Sequence, residues 1–396
     1  MAGMAGMAGM AGMAGTAGIL SRRLWRYHAG ACQMRKGDLR ECGTMRLKDL
    51  DTPCVVIDLD RAEANLARGQ AVVAAAGLAM RPHVKTHKLP CMALRQIALG
   101  AVGVTCQKLG EAEAMADGGI GDIFVPYNIL GATKLARLAA LHARVVLSVT
   151  ADSAQTVAGY AAAFTDPAHP LAVLVECDTG MGRCGVREAD GALALARQIA
   201  AAPGLRFGGL MSYPARGQQS AADAWMAACV TRIQAAGLAV PVVSLGGTPD
   251  LMAVGGLRAA TEYRPGTYIY SDRMQVAFGH GTFDDCALTV RATVVSRPTP
   301  TRAVLDAGSK ALAADLCSLP GHGHIPAYPQ AVITSLSEEH AVVDLAPCAA
   351  RPQIGEVVAV IPNHACVVSN LFDRVWLARG DAVTGAADVT SRGRLA

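Results

Sequence analysis

Between residue 54 and about residue 283, short apolar runs alternate with Ala-rich segments whose apolar positions recur at helical spacing. The first predicted helix covers Arg61–Ala76, followed by an apolar run from Met80 to Lys85 and a helix over Leu89–Leu99. A strand at Gly103–Cys106, a helix at Gly110–Ala116 and a strand at Asp122–Pro126 continue the alternation. Further strands are expected at Arg144–Val149, Ala172–Cys177, Phe207–Ser212 and Val242–Gly246, with a short eighth near Thr261–Tyr263. Helices at Ala189–Ala202 and Ala221–Ala236 fall between them. Eight such units fit an α/β chain folded as a (β/α)8 TIM-like barrel, which takes roughly 200–250 residues.

Beyond Asp284 the pattern changes. Ala287–Ser296, Arg302–Asp306, Ala331–Ser335, Ala341–Leu345, Glu356–Ile361 and Arg374–Ala378 read as strands punctuated by Gly, Pro and Asp, with no helix between them. The expected organisation is a barrel over residues 45–283 and a C-terminal β domain over 284–396, with strand Cys54–Asp58 as a candidate to join the β domain. Residues 1–18 repeat Met-Ala-Gly and then give Thr-Ala-Gly, a low-complexity stretch with nothing to pack. Ser21–Gly43 is basic without a clear period, and Arg22, Arg23 and Arg26 leave a transit peptide open. Residues 1–44 are therefore expected to be a disordered extension ahead of a domain that starts at Met45.

Composition narrows the class. With 52% hydrophobic and 17% charged residues, the 396-residue chain is neither disordered nor too poor in apolar residues to build a core. A net charge of +4 without a Lys/Arg cluster argues against nucleic acid as partner, and no run of 18 apolar residues predicts a membrane span. None of the twelve cysteines forms a C-x-x-C pair, and several sit in apolar strand-like runs; free buried thiols and a cytoplasmic location are expected.

Reactive groups of a barrel sit at the C-terminal ends of its strands. The first strand runs into Arg81-Pro-His-Val-Lys-Thr-His-Lys88, placing Lys85 at the mouth with His83 and His87 at alternate positions. The seventh ends in Ser244-Leu-Gly-Gly-Thr-Pro249, a turn able to present backbone N–H groups to a phosphate. Together they describe an amine facing a phosphate anchor, as in a pyridoxal 5'-phosphate Schiff base.

Those segments, with Leu50-Asp-Thr-Pro53, Gly182-Arg-Cys-Gly-Val186, Leu305-Asp-Ala-Gly308 and Pro362-Asn-His-Ala-Cys366, resemble the D-serine dehydratase/D-threonine aldolase family over about residues 46 to 390. These are fold-type III pyridoxal phosphate enzymes with an alanine racemase-like barrel. The resemblance implies Lys85 as the Schiff-base lysine, Gly246, Gly247 and Thr248 around the phosphate, Arg183 near the ring nitrogen, and Tyr213 as a further cofactor contact. It also implies a divalent metal at His364 and Cys366. Two apart, these side chains would leave the same face of an extended segment, and imidazole plus thiolate suits zinc. Aldolases of the family resemble His-x-Asp there and take harder ions such as manganese. Cys366 thus favours a dehydratase acting on a small D-β-hydroxy amino acid, D-serine or D-threo-3-hydroxyaspartate. Aldol cleavage to glycine and an aldehyde is the alternative; racemisation and a non-catalytic cofactor carrier are more remote. Family analogy further implies a homodimer, with the Gly321-His-Gly-His324 loop a candidate to reach the partner.

Overall fold

The computed structural model describes residues 45–396, so the expectation for residues 1–44 lies outside the described residues. Eight parallel strands form one curled sheet: Ala79–Met80, Val104–Thr105, Asp122–Val125, Val146–Ala151, Leu171–Cys177, Leu205–Ser212, Val242–Leu245 and Glu262–Tyr263. The last strand pairs with the first. The remaining gap is bridged where His83 pairs with Thr105 and the Thr105 N–H donates to Pro82 O at 2.8 Å. The barrel reading holds.

Its helices pack outside because their apolar positions fall on one stripe. Helix Leu59–Ala75 is capped by Asp58, whose carboxylate accepts from the N–H groups of Asp60 and Arg61. It buries Leu59, Ala62, Leu66, Gly69 and Val73. A Cβ at Gly69 would meet the Tyr268 ring at 2.5 Å, so only glycine lets this helix approach the Thr267–Ile269 turn. Strand Leu171–Cys177 is buried at every position because barrel interior and helical layer cover its two faces.

The second sheet runs Val332–Leu336, Ala341–Asp344, Arg302–Leu305, Leu288–Thr299, Cys54–Asp58, Arg374–Arg379, Ala382–Asp388, with Val357–Val360 also on Leu288–Thr299. Cys54–Asp58 lies inside this sheet, antiparallel to Leu288–Thr299 and parallel to Arg374–Arg379. The barrel's first element is therefore helix Leu59–Ala75, and Cys54–Asp58 joins the β region as the sequence made it a candidate to do. One core cluster continues from that helix through Tyr263 and Ile269 to Val290, Val343 and Val360, so the units share an apolar seam.

Two local expectations are corrected. The Met80–Lys85 strand stops at Met80; after His83 the chain turns into a 3-10 helix, Val84–Thr86, because the His83 ring accepts the Lys85 N–H at 3.3 Å. The β region does contain helical turns, Ser309–Leu312 and Ala365–Ser369. The Gly321–His324 loop is tied to its own chain: His324 pairs with Ile361 and stacks on Phe283, while Gly321 O accepts from Arg273 and Asn363. The ten cysteines among the described residues are free. No helix there is long and apolar enough to cross a membrane.

Candidate active site

The Val84–Thr86 turn presents Lys85 into a cleft holding about 750 Å³ of space, open solvent at its mouth included. His83 lines the same wall. Its Nδ1 accepts the Lys85 backbone N–H, which leaves Nε2–H to donate to Gln107 Oε1 at 3.0 Å. Burial, helped by the Lys85 charge, holds this imidazole well below the usual histidine range, so it is neutral. The Gln107 backbone N–H donates in turn to Glu111 Oε2 at 2.6 Å, and buried Glu111 pairs with Lys88 at 3.2 Å. The lysine turn is thus braced from behind by a buried ion pair. His87 does not reach the cleft: its ring is buried between Gln96 and the Leu89 N–H.

The turn Gly246-Gly247-Thr248 lines the same cleft, from the strand Val242–Leu245, one strand removed from Ala79–Met80 in the barrel sheet. Gly246 has φ +89°, and a Cβ on it would fall on the Tyr263 ring. A Cβ on Gly247 would come within 2.8 Å of Tyr213. The Tyr263 hydroxyl donates to Gly247 O at 2.8 Å, and Thr248 Oγ1 accepts from the Gly266 and Tyr268 N–H groups at 3.1 and 3.2 Å. The backbone therefore comes to the cleft without side chains in the way, the cradle a phosphate requires.

Two arginines face the cleft from different depths. Arg183 is exposed at the rim, its guanidinium 5.2 Å from the centre of the Tyr213 ring. Arg264, which sequence reasoning missed, is buried; it donates to Ser244 Oγ at 2.5 Å and to Ser212 O at 2.8 Å. Burial lowers its pKa to about 10, against the charges of Glu262 and Glu176, so it stays a cation. The signal was available, since Arg264 directly follows the last barrel strand, where functional side chains concentrate.

His364 and Cys366 close the third side. They do not share an extended segment, as the spacing suggested: His364 caps the helical turn Ala365–Ser369, and Cys366 lies within it. Both still line the cleft. Burial raises the thiol pKa, but His364 and Lys85 outweigh it and bring Cys366 below its ordinary value; the His364 imidazole, which burial alone would lower, is raised to about 9 by Cys366 and Asp272. Buried Asp272 fixes the turn by accepting the Ala365 N–H at 3.0 Å. No cluster of three or more metal-ligating side chains occurs among the described residues, so a metal here would have two protein ligands and open positions for water or substrate.

All eight candidates, Lys85, Arg183, Tyr213, Gly246, Gly247, Thr248, His364 and Cys366, thus border one cleft. The donor set fits both groups: an amine, an open glycine cradle and cations for pyridoxal phosphate, and a borderline-soft pair for zinc.

Residues 57–274 match the alanine racemase N-terminal domain, and residues 287–378 match a putative serine dehydratase domain. D-Threonine aldolase from Arthrobacter sp is 35% identical, the alignment covering 88% of this chain and 94% of the relative. The chain belongs to the D-serine dehydratase/D-threonine aldolase family. Another member, D-threo-3-hydroxyaspartate dehydratase from Delftia sp. (strain HT23), is 33% identical over 82% of this chain and 93% of its own. Solved structures of the family include D-threonine aldolase from Filomicrobium marinum, 33% identical with a TM-score of 0.82 over 89% of this chain and 98% of that one. Solved structures of D-threo-3-hydroxyaspartate dehydratase with 29–30% identity to this chain include a histidine-to-alanine variant and a metal-free form of a cysteine-to-alanine variant.

Proposed function

We propose that the protein is a pyridoxal phosphate- and metal-dependent lyase that eliminates water from a small D-β-hydroxy amino acid such as D-serine or D-threo-3-hydroxyaspartate; the resulting enamine tautomerises to an imine, which water hydrolyses to ammonia and a keto acid. The observation that carries this reading is one cleft lined together by Lys85, the Gly246–Thr248 turn, and His364 and Cys366. When bound, the cofactor supplies a sink for negative charge at the substrate Cα, and the metal a Lewis acid for the β-hydroxyl. Lys85 Nζ would hold the cofactor and its free amine would take the Cα proton. Gly246, Gly247 and Thr248 would hold the phosphate, Arg183 would lie near the ring nitrogen with Tyr213 as a further contact, and buried Arg264 lines the same cleft. His364 and Cys366 hold zinc, with manganese the harder alternative, and orient the β-hydroxyl so that it leaves.

The Cys366 thiolate supports zinc and elimination over aldol cleavage. Aldol cleavage is the second reading, supported by similarity to the Arthrobacter aldolase. A panel of D- and L-β-hydroxy amino acids, assayed with and without zinc, separates them: ammonia with a keto acid is expected, and glycine with an aldehyde as sole products would reverse the assignment. A homodimer is part of this proposal, supported by the family resemblance and by Met181 and Met252, exposed apolar residues that follow barrel-strand ends. Sedimentation of an active monomer would remove it.

A further inference from the structure

The 3-10 turn that carries Lys85 also carries Thr86, and the two side chains serve different sites. Thr86 is buried, with Oγ1 3.1 Å from Cys366 Sγ, across 280 positions of sequence. Thr267, in the turn after the last barrel strand, brings a second hydroxyl to the same sulfur at 3.5 Å. A metal-ligating sulfur is a thiolate, which has no proton to give, so both hydroxyls then act as donors toward it. Groups that hydrogen-bond a metal ligand orient it and tune its affinity. The helical turn of Cys366 belongs to the β region and the turn of Thr86 to the barrel, and these two elements pack directly on each other.

We propose that Thr86, assisted by Thr267, is a positioning residue for zinc: its hydroxyl fixes the Cys366 sulfur from the same turn that fixes Lys85. The inference rests on the reading of His364 and Cys366 as the metal pair. It gives the link between barrel and β region a chemical task, because the hydrogen bond from Thr86 then ties the metal's sulfur to the turn of the cofactor lysine.

The test measures zinc affinity of the full-length holoenzyme by competition with a zinc-binding dye, beside cofactor content read from the visible absorbance. Thr86→Val keeps the volume and removes the donor; zinc affinity should fall about 10- to 100-fold with cofactor content unchanged. Thr86→Ser, which restores a hydroxyl, should stay within about threefold of wild type on the same scale. Thr267→Val should fall less than Thr86→Val, because its contact is longer. Thr86→Ala guards against crowding, since it removes the hydroxyl without setting a methyl against the sulfur. Wild-type zinc affinity in both Thr86→Val and Thr86→Ala would overturn the proposal. If wild type itself binds no zinc, or binds it equally after loss of His364 and Cys366, the metal reading fails and takes this inference with it. A misfolded Thr86→Val, identified by its melting curve, leaves Thr86→Ala and Thr86→Ser to decide.

Discussion

His83 and His87 flank Lys85, and burial denies both imidazoles the solvation a positive charge needs. For His87 the folded-state pKa falls to about 4 from an ordinary 6.5. In that window the unfolded chain takes up a proton that the folded chain refuses, so stability is full above pH 6.5 and lost as pH falls toward 4. The loss approaches about 3 kcal/mol at the lower end. His87→Gln should therefore melt lower at neutral pH yet show a shallower decline of melting temperature between pH 6.5 and 4. His83 still contributes, so the slope shrinks without vanishing; an unchanged slope would assign the titration elsewhere. Lys85 itself is tested covalently. Borohydride reduction and peptide mapping should label Lys85, and Lys85→Ala should cost at least about a thousandfold in rate, about 4 kcal/mol of barrier. Label on Lys88 is not expected, because that ammonium is buried against Glu111 and Ser391 O.

At the scale of elements, the apolar alternation located all eight barrel strands and the β region, since burial on both faces leaves runs such as Leu171–Cys177 that no other element explains. Strand Ala382–Asp388 and the turn Ser309–Leu312 escaped it, and two further places did so for a shared reason: a side chain redirects the backbone there, and hydropathy does not register that. His83 turns the expected Met80–Lys85 strand into the Lys85 turn, and Asp272, 93 positions away, caps the turn that holds Cys366. The His-x-Cys spacing assumed an extended segment, whereas the pair lies at a helical turn bordering the cleft. Arg264 was missed because a lone arginine after a short strand carries no spacing signal. The Gly-Gly-Thr turn, in contrast, was legible, because its glycines are demanded by geometry. Gly246→Ala forces a Cβ into the Tyr263 ring from a left-handed φ, strain of order 1–3 kcal/mol before any contact is counted. Displacing Tyr263 also breaks its bond to Gly247 O. Cofactor affinity in an absorbance titration should fall at least about tenfold, while saturating cofactor still labels Lys85. Unaltered affinity would show that the phosphate does not use this turn.

Across the whole molecule, the two chemistries come from different units. Lys85 and the Gly246–Thr248 turn are set by barrel strands, whereas His364 and Cys366 ride on a turn of the β region held by Asp272 and Arg273. A cofactor held by its lysine and phosphate needs nothing from the metal pair, so the two should be separable by chelation. Thorough removal of metal should abolish turnover while the visible absorbance of the cofactor at Lys85 persists. Exchange of the Cα proton into deuterated water should survive more slowly, since it requires Lys85 and the cofactor alone. Zinc should restore the rate more fully than manganese, and Cys366→Asp should reverse that preference, following the softness of the donor. Loss of the absorbance together with activity would mean that metal and cofactor are held as one unit. Turnover that survives both chelation and removal of His364 and Cys366 would take the metal, and with it the elimination reading, out of the mechanism.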